Sequence, residues 1–214
     1  MLDDAGREVA PGEHGNVVMK LPLAPGATPT LWNNDQGFQK TYLDTYPGYY
    51  LTADAGYKDE DGYLWIMGRT DDVINVAGHR LSTGRMEEVL AAHPDIAECA
   101  VVGVADELKG EVPLGLVVLK AGAERDPAEL VAELVELVRQ LIGPVASFKT
   151  ATVVKRLPKT RSGKIVRGTV KKIAEGVDWT VPATIDDPAS LEEIKGRLAE
   201  IGYPVRKWAG AQAR

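Results

Sequence analysis

The sequence predicts an α+β fold, in which helices pack against a few strands. Residues 1 to 50 read as short extended pieces between turns rich in Pro and Gly. After residue 80 the apolar residues recur at helical spacing, most clearly in DPAELVAELVELVRQLIG, residues 126–143. The pattern shifts near GRTDD, residues 68–72, and this shift predicts a domain boundary at about residue 70.

The part before that boundary predicts strands joined by tight turns. In NVVMKLPLAPG, residues 16–26, apolar and polar residues alternate briefly, and Pro and Gly then follow. In DEDGYLWIMGR, residues 59–69, Asp61-Gly62 is typical of a hairpin turn that leads into a strand from Tyr63 to Met67.

The part after the boundary predicts alternating helices and strands. STGRMEEVLAAHP, residues 82–94, has Met86, Val89, Leu90 and His93 at helical spacing, and Pro94 ends it. The helix over 126–143 begins at Asp126-Pro127, with an apolar stripe of Leu130, Leu134, Leu137 and Leu141. Strands are predicted over 96–106, 112–120 and 150–157, a helix over 162–176 with Ser162 near its N-cap, and an amphipathic piece over 188–202.

Composition excludes several classes of protein. The net charge of −6 argues against a general nucleic-acid binder. The single cysteine, Cys99, lies in an apolar run, so we expect a core position and no intrachain disulfide. No apolar run approaches the roughly 18 residues that span a bilayer, and the first residues are unlike a signal or transit peptide. The expected location is the cytoplasm or another reducing compartment.

Positive charge is concentrated in one span. From Leu137 to Ala174 there is no acid, and the bases are Arg139, Lys149, Lys155, Arg156, Lys159, Arg161, Lys164, Arg167, Lys171 and Lys172. Such density is unfavourable unless counter-ions or an anionic ligand relieve the repulsion. Gly163 and Lys164, at the predicted helix start, would offer backbone N–H groups and a mobile cation to a phosphate or carboxylate. A solvated basic face explains the same residues, and spacing alone leaves the choice open.

A second group of polar residues lies between residues 53 and 80. Asp54 would accept hydrogen bonds from a ribose diol or would serve as a turn aspartate. Arg69 and Arg80 flank a short apolar strand, where they would face phosphates or pair with nearby acids. Gly78 permits a close backbone approach or closes a turn. No Cys/His cluster marks a zinc site.

Taken together, these segments resemble the C-terminal motifs of the adenylate-forming enzymes. The motifs are YYLTADAGYKDEDGYLWIMGRTDDVINVAGHRLSTGRMEEVL, residues 49–90, and LPKTRSGKIVRG, residues 157–168. HPDIAECAVVG, LKGEVPLGLVVLK and VRQLIGPVA match the AMP-forming short-chain acyl-CoA synthetases, the acetyl- and propionyl-CoA synthetase group. The resemblance extends from about residue 10 to about residue 190.

The resemblance implies a division into two domains. Residues 1–70 would be the closing β-strands of a large N-terminal AMP-binding domain, most of which lies outside this sequence. Residues 71–214 would be the complete small, mobile C-terminal domain with a helical tail. The family's phosphate loop and carboxylate pocket belong to the missing part, so we expect this fragment alone to be inactive. The missing N-terminal domain would be its main partner.

The resemblance also implies a reaction and the residues that perform it. A short-chain carboxylate attacks the α-phosphate of ATP, bound with Mg²⁺, and CoA then takes the acyl group from the adenylate. Lys164 matches the catalytic lysine of adenylation, and Asp54, Arg69 and Arg80 match ATP- and AMP-binding residues. Asp71 matches the hinge about which the small domain rotates.

Further matches concern CoA and a structural cation. Ala77 and Gly78 match residues along the pantetheine tunnel, and Arg139 matches a base that meets the CoA 3′-phosphate. Ala91, His93 and Ile96 match a structural cation site formed mostly by backbone carbonyls. The sequence departs from the family at Ala53, where Gly is often found, and at Ala77, where Ser is common.

The resemblance leaves several points open. The acid would be acetate or propionate, with propionate favoured, and no tightly bound prosthetic group is expected. Lysine acetyltransferases and deacetylases are expected partners through Lys164, whereas nucleic acid and membranes are not. A eukaryotic member would lie in the mitochondrial matrix. The alternatives are an adenylate-forming ligase that uses a carrier protein, and a freestanding module that binds CoA or nucleic acid through its basic span.

Overall fold

The chain divides into two compact units, which are described separately below. The computed structural model describes residues 1–204, and of Asp71 only the backbone. The first unit is Met1–Val73 and the second begins at Ile74, whereas the sequence predicts the boundary at about residue 70. Among the described residues, no helix has the length and apolar character needed to cross a membrane.

The first unit is built on an antiparallel sheet with the order β1-β2-β3. Its elements are β1 (His14–Lys20), α1 (Asp35–Phe38), a π-helical turn (Gln39–Leu43), β2 (Tyr49–Lys58), β3 (Leu64–Arg69) and a 3-10 turn (Thr70–Asp72). The predicted turn before β3 forms at Gly62, which has φ +90. Asp59 fixes this turn, because its carboxylate accepts the backbone N–H of Tyr63 and the indole N–H of Trp65, both at 2.8 Å.

A cluster of aromatic rings holds the short helical segment on the sheet. Tyr42 stacks on Tyr50 of β2 with ring centroids 5.0 Å apart and planes 6° from parallel. Phe38, which is buried, lies against both rings. The sequence does not predict this helical segment, because four α-helical residues and a π-turn are too short to set up a recognisable apolar period.

The second unit is a mixed sheet with helices on both faces. Its elements are β4 (Val73–Val76), β5 (His79–Ser82), α2 (Thr83–Ala91), β6 (Ile96–Asp106), β7 (Gly110–Leu119), α3 (Pro127–Leu141), a 3-10 turn (Pro144–Ala146), β8 (Thr150–Val153), α4 (Arg167–Glu175) and α5 (Ala189–Glu200). The strand order is β5-β4-β7-β6, and β8 pairs with β7 in parallel. The α+β prediction is confirmed for this unit.

Two apolar cores cover the two faces of this sheet. Val101 and Val117 point into one core, which α2 and α3 complete. Val102 and Leu116 point into the other, which α4 and α5 complete. Successive residues of a strand face opposite sides, so strands covered on both faces read as continuous apolar runs, as β6 and β7 do.

Helix α3 begins as the sequence predicts, but its buried face differs from the predicted stripe. The Asp126 carboxylate accepts the N–H groups of Ala128 and Glu129 at 2.9 and 3.0 Å. The buried residues are Leu130, Leu134 and Val138, whereas Leu141 is 55% exposed. At 3.6 residues per turn a four-residue step and a three-residue step both stay near one face, so the pattern does not separate Val138 from Leu137.

Candidate functional site

Asp54 and Arg69 lie opposite each other on neighbouring strands of the first unit. The register of β2 and β3 pairs their Cα atoms directly. Side chains at directly opposed positions are about 5 Å apart at Cβ, so the carboxylate and the guanidinium belong to one local group. Asp54 is partly exposed and Arg69 exposed. The structure thus brings together these two of the three predicted nucleotide-binding residues.

The backbone around Asp54 is irregular on both sides. The β1–β2 register shifts between Asn16 and Val18, and the β2–β3 register shifts between Ala55 and Gly56. Ala53, directly before Asp54, has φ +62, which is uncommon for a residue with a side chain. The Thr70 hydroxyl donates to the Ala53 carbonyl at 3.2 Å and fixes this conformation. Bulges of this kind change the direction in which a neighbouring side chain points.

The predicted hinge residue lies just before the division between the two units. Asp71 is the middle residue of the 3-10 turn Thr70–Asp72, which separates β3 from β4. The first unit ends two residues later, at Val73. A short turn between two separately packed units is the kind of segment in which backbone dihedrals absorb a rotation.

Ala77 and Gly78 form the turn of the β4–β5 hairpin. Their φ angles are +49 and +88, the pattern of a type I′ turn. The Asn75 side-chain oxygen accepts the Gly78 N–H at 3.1 Å, and the Ala77 N–H donates to the Lys109 carbonyl at 2.7 Å. The turn is exposed at the end of the β6–β7 hairpin. Arg80 follows on β5, also exposed.

A basic pocket of about 280 Å³ lies in the second unit beside this turn. Its cations are Arg139 from the last turn of α3, Lys109 and Lys149, and its apolar wall includes Val135 and Phe148. No acid lines it. The Lys109 ammonium donates to the Ser147 hydroxyl, and Ser147 is nearly buried with φ +50. We call this group the basic pocket.

Lys109 and Ser147 are functional candidates that the sequence analysis missed. Lys109 links the predicted CoA residues, because its carbonyl holds the turn at Ala77 and its side chain lines the pocket that contains Arg139. In the sequence Lys109 is a lone base outside the acid-free span, and Ser147 resembles an ordinary loop serine. The only sequence signal is the short segment GPVAS after α3, in which a Gly-Pro turn ends at Ser147.

Lys164 is placed differently from the prediction. The predicted helix start at Ser162 is wrong, because α4 begins at Arg167. Residues 158–166 instead form a tight hairpin, which we call the Lys164 hairpin, with a bridge between Lys159 and Ile165. The Gly163 N–H donates to the Thr160 carbonyl at 2.8 Å, and the Lys164 N–H donates to the Thr160 hydroxyl at 3.1 Å. Those N–H groups therefore do not form an anion site.

The acid-free span of the sequence has acid partners in space. Four of its bases pair with acids from other segments: Arg156 with Asp187 at 2.6 Å, Lys159 with Glu98 at 2.6 Å, Arg167 with Glu87 at 2.8 Å and Lys171 with Glu111 at 2.5 Å. Lys164 is exposed, and within residues 1–204 no ion pair involves its side chain. The fold therefore neutralises much of the span and leaves the Lys164 ammonium available.

The Lys164 hairpin and the basic pocket lie at opposite ends of the β6–β7 hairpin. The hairpin residue Lys159 contacts Glu98 near the start of β6, whereas Lys109 follows Asp106, where β6 ends. Helix α4 runs from the Lys164 hairpin towards the far end of β6. Its first residue, Arg167, contacts Glu87, which bonds to Val101 in the middle of β6. One turn later Lys171 contacts Glu111, which lies opposite Ala105 near the end of β6. At about 3.3 Å per residue, the eight residues from Glu98 to Asp106 span about 26 Å.

His93 belongs to a hydrogen-bonded group with Asp95, Arg125 and Glu133. Its Nδ1 accepts the Asp95 N–H at 3.2 Å, so its Nε2 carries the proton and donates to the Glu133 carboxylate at 3.0 Å. Arg125 joins Glu133 to Asp95 at 2.5 and 2.7 Å. The hydrogen bond from His93, followed by that from Arg125, lowers the pKa of Glu133, so this contribution to stability is present at neutral pH and is lost as the pH falls through the lowered pKa.

In the predicted cation site, one of the carbonyl oxygens, that of His93, already accepts a backbone hydrogen bond. The His93 carbonyl accepts the Ile96 N–H at 3.2 Å, while Ala91 ends helix α2. Among residues 1–204, no group of three or more His, Cys, Asp and Glu side chains converges as a metal site. Cys99 is partly buried against the core, and burial raises the pKa of its thiol to about 11.

Comparison with known proteins shows which protein family this chain resembles. Residues 85–164 match the AMP-binding enzyme C-terminal domain, so the chain contains a domain of that family. Within it, the chain is similar to the C-terminal part of short-chain acyl-CoA synthetases.

Individual relatives support this assignment. The chain is 58% identical over 198 residues to an uncharacterized protein of Pseudomonas aeruginosa, a match that covers 92% of the chain and 32% of that protein. It is 53% identical over 194 residues to the mitochondrial acyl-CoA synthetase short-chain family member B of Dictyostelium discoideum, covering 91% of the chain and 28% of that protein. The chain thus spans about a third of the length of the curated relatives it matches.

A solved structure shows the same similarity. The crystal structure of an ATP-bound RpMatB-BxBclM chimera is 26% identical, with a TM-score of 0.64, and the match covers 80% of this chain and 33% of the chimera. The match again involves about a third of a longer chain.

The turn at Ala77 generates a stability prediction. Because a positive φ is unfavourable for a residue with a Cβ, Ala77→Gly should raise the free energy of unfolding of the second unit by about 0.5–1 kcal/mol in urea denaturation. Ala105→Gly is the matched control, since Ala105 is exposed within β6 at negative φ. It should lower the free energy of unfolding by about 0.5–1 kcal/mol. A loss of stability in both variants would contradict the strained turn.

Proposed function

We propose that this chain is the C-terminal part of an AMP-forming short-chain acyl-CoA synthetase, an acid–thiol ligase. The observation that carries the proposal is the Lys164 hairpin, which holds an exposed ammonium with no acid partner among the described residues, in a domain of the AMP-binding C-terminal family. The coverage of the relatives supports a longer protein with a further N-terminal domain. On this proposal, the chain alone is inactive.

Lys164 serves the first half-reaction. A carboxylate oxygen attacks the α-phosphorus of ATP, and the bond to pyrophosphate breaks as the acyl-adenylate forms. Two anions must meet in this step, so a cation placed between the carboxylate and the phosphate oxygens lowers the barrier. An ammonium without a competing carboxylate is suited to that task, because a nearby acid would compete with the substrate anions for it.

Asp54, Arg69 and Arg80 bind the nucleotide. The Asp54 carboxylate accepts hydrogen bonds from the ribose hydroxyls, and Arg69, which pairs with it across β2 and β3, lies close enough to bind near the same sugar. Arg80 contacts phosphate oxygens. Mg²⁺ accompanies ATP as part of the substrate, and the described residues offer no carboxylate cluster for it.

CoA serves the second half-reaction at the other end of the second unit. Ala77 and Gly78 line the pantetheine path, and Arg139 in the basic pocket binds the 3′-phosphate. The thiol sulfur attacks the acyl carbonyl, and AMP leaves with its bond to the acyl carbon broken. Since Lys164 and the basic pocket lie at different places on the second unit, rotation at Asp71 brings each of them to the acyl group in turn.

The proposal also covers the acid substrate, the bound cation and the cellular location. The acid is propionate or acetate, and a structural cation binds at the carbonyls of Ala91, His93 and Ile96. No tightly bound prosthetic group takes part. The location is cytoplasmic, or mitochondrial in a eukaryote, as the name of the Dictyostelium relative suggests for that protein.

The role of Lys164 is tested by separating the half-reactions in the longer enzyme. Lys164→Ala should lower the rate of acyl-adenylate formation, followed by pyrophosphate release, by about 10²–10³-fold, because one preorganised cation is lost. Thioester formation from supplied acyl-adenylate and CoA should stay within about twofold of the unaltered enzyme.

The matched control is Lys172→Ala, which removes the same charge from an exposed position on α4. It should leave both half-reactions unchanged. An equal loss of both half-reactions in the Lys164 variant would contradict the assigned role.

Acetylation of Lys164 removes the same charge and would regulate the same step. Acetyltransferases and deacetylases are then partners of the exposed hairpin. Enzyme acetylated stoichiometrically at Lys164 should show the same separation of half-reactions as Lys164→Ala. An undiminished adenylation rate would refute this regulation.

The role of Arg139 is tested with a truncated substrate. Arg139→Ala should raise KM for CoA about tenfold, because a charge-assisted hydrogen bond to phosphate is lost. It should leave KM for 3′-dephospho-CoA unchanged, since that substrate lacks the phosphate. A carrier-protein ligase would show little turnover with either free thiol.

Arg197→Ala is the control for Arg139. Arg197 is likewise an exposed arginine in the last turn of a helix, α5, where it pairs with Glu200 at 3.0 Å. If Arg139→Ala raised KM equally for both thiols, Arg139 would not be the 3′-phosphate ligand.

A further inference from the structure

A segment beyond Lys164 folds back onto the Lys164 hairpin. We call residues 182–187 the strap. The Asp186 N–H donates to the Lys159 carbonyl at 2.9 Å, and the Arg161 N–H donates to the Thr184 carbonyl at 3.0 Å. These bonds flank an antiparallel bridge between Thr160 and Ile185. The strap thus adds a third strand to the hairpin, on the side away from Lys164.

The strap is anchored at two points. Ile185 is 5% exposed and lies in the apolar core with Leu157, Val170 and Ile194. Next to it, the Asp187 carboxylate pairs with Arg156 at 2.6 Å, just before the hairpin begins. The strap therefore fixes the first arm of the hairpin to the core formed by α4 and α5.

Because the strap fixes the first arm of the hairpin, it also restricts the position of Lys164. Thr160, which bridges to Ile185, also donates its N–H to the Lys164 carbonyl at 2.8 Å and accepts the Lys164 N–H on its hydroxyl. Both backbone groups of Lys164 are thus bonded to one residue, and that residue is held by the strap. A two-stranded hairpin alone is marginally stable in water, whereas a third strand with an apolar anchor stabilises it.

We propose that the strap is a positioning element for Lys164, with Ile185 as its anchoring residue. This inference rests on the proposed function of Lys164 in adenylation. Residues 85–164 match the family domain, so the strap lies outside the matched domain and extends the functional unit by about twenty residues. Ile185 touches no substrate; it acts through Thr160 and the backbone of Lys164. A misplacement of about 1 Å at a reacting group costs on the order of 10²-fold in rate.

The main test compares two core truncations in the longer enzyme. Ile185→Ala should lower the rate of acyl-adenylate formation about 10- to 100-fold and leave thioester formation from supplied adenylate within about twofold. Ile194→Ala is the matched control, because Ile194 is fully buried in the same core but belongs to α5. It should change both half-reactions by less than about twofold. Ile185→Val, which keeps most of the anchor, should restore adenylation.

A second pair of variants removes one strap bond without making a cavity. Asp186 is exposed, and its N–H is the group that bonds to Lys159. Asp186→Pro removes this donor and should lower adenylation selectively, while Asp186→Ala keeps it and should be neutral. This pair decides the question if Ile185→Ala fails to fold. In the 214-residue chain, Asp186→Pro should also speed amide hydrogen exchange across 159–165 by at least about tenfold.

The outcomes separate this inference from the proposed function. If Lys164→Ala abolishes adenylation while Ile185→Ala and Asp186→Pro match their controls, the strap does not position Lys164. If Ile185→Ala and Ile194→Ala reduce both half-reactions equally, Ile185 has a general structural role and the inference is wrong. If Lys164→Ala leaves adenylation intact, the proposed function itself fails, whatever the hydrogen exchange of the hairpin.

Discussion

Hydrogen bonds to the Glu87 carboxylate join the two faces of the second unit. This carboxylate accepts the backbone N–H of Val101 at 2.8 Å, and it accepts from Arg167 Nη2 at 2.8 and 2.9 Å and from Arg167 Nε at 3.2 Å. Strand β6 is the edge of the sheet, so Glu87 satisfies an edge donor that would otherwise be open to another strand. The same carboxylate joins α2 on one face to α4 on the other. Arg167 is the first residue of α4, so this junction also fixes where the chain leaves the Lys164 hairpin.

On the proposed function one small domain serves two chemical steps, and a sheet packed on both faces suits that role. The strands β6 and β7 are buried on both faces, and close packing on both sides resists bending. Lys164 and the basic pocket therefore keep their separation along β6. On the proposed function, groups at different places on one packed body reach the same point only if the whole body turns, and the 3-10 turn Thr70–Asp72 lies next to the division between the two units.

The sequence predicts the elements whose signals are local. Strands β6 and β7 follow from continuous apolar runs, and α3 follows from its period and the Asp126-Pro127 start. The start of α4 could not be predicted from the N-cap signal of Ser162. The Thr160 hydroxyl bonds to Ser162 and to the Lys164 N–H, so these residues form a hairpin instead of a helix start. The hairpin also depends on a bridge from Thr160 to the strap, about twenty residues later in the sequence. The acids that pair with the basic span lie far away in sequence, as Glu87 does from Arg167. The link from His93 to Glu133 is invisible for the same reason.

The contrast between Lys164 and its basic neighbours is a matter of where counter-charges are placed. Arg167 and Lys171 have carboxylates within 2.8 and 2.5 Å, and both are partly buried. A partly buried cation needs such a partner, because desolvation is costly. Lys164 is exposed at the tip of its hairpin, so water solvates its ammonium at little cost. An anion that replaces that water as the site closes gains the full attraction of the charge, whereas an anion that approached Arg167 would have to displace Glu87. Within an acid-free run of the sequence, the fold thus pairs four bases with distant acids, whereas Lys164 has no acid partner among residues 1–204.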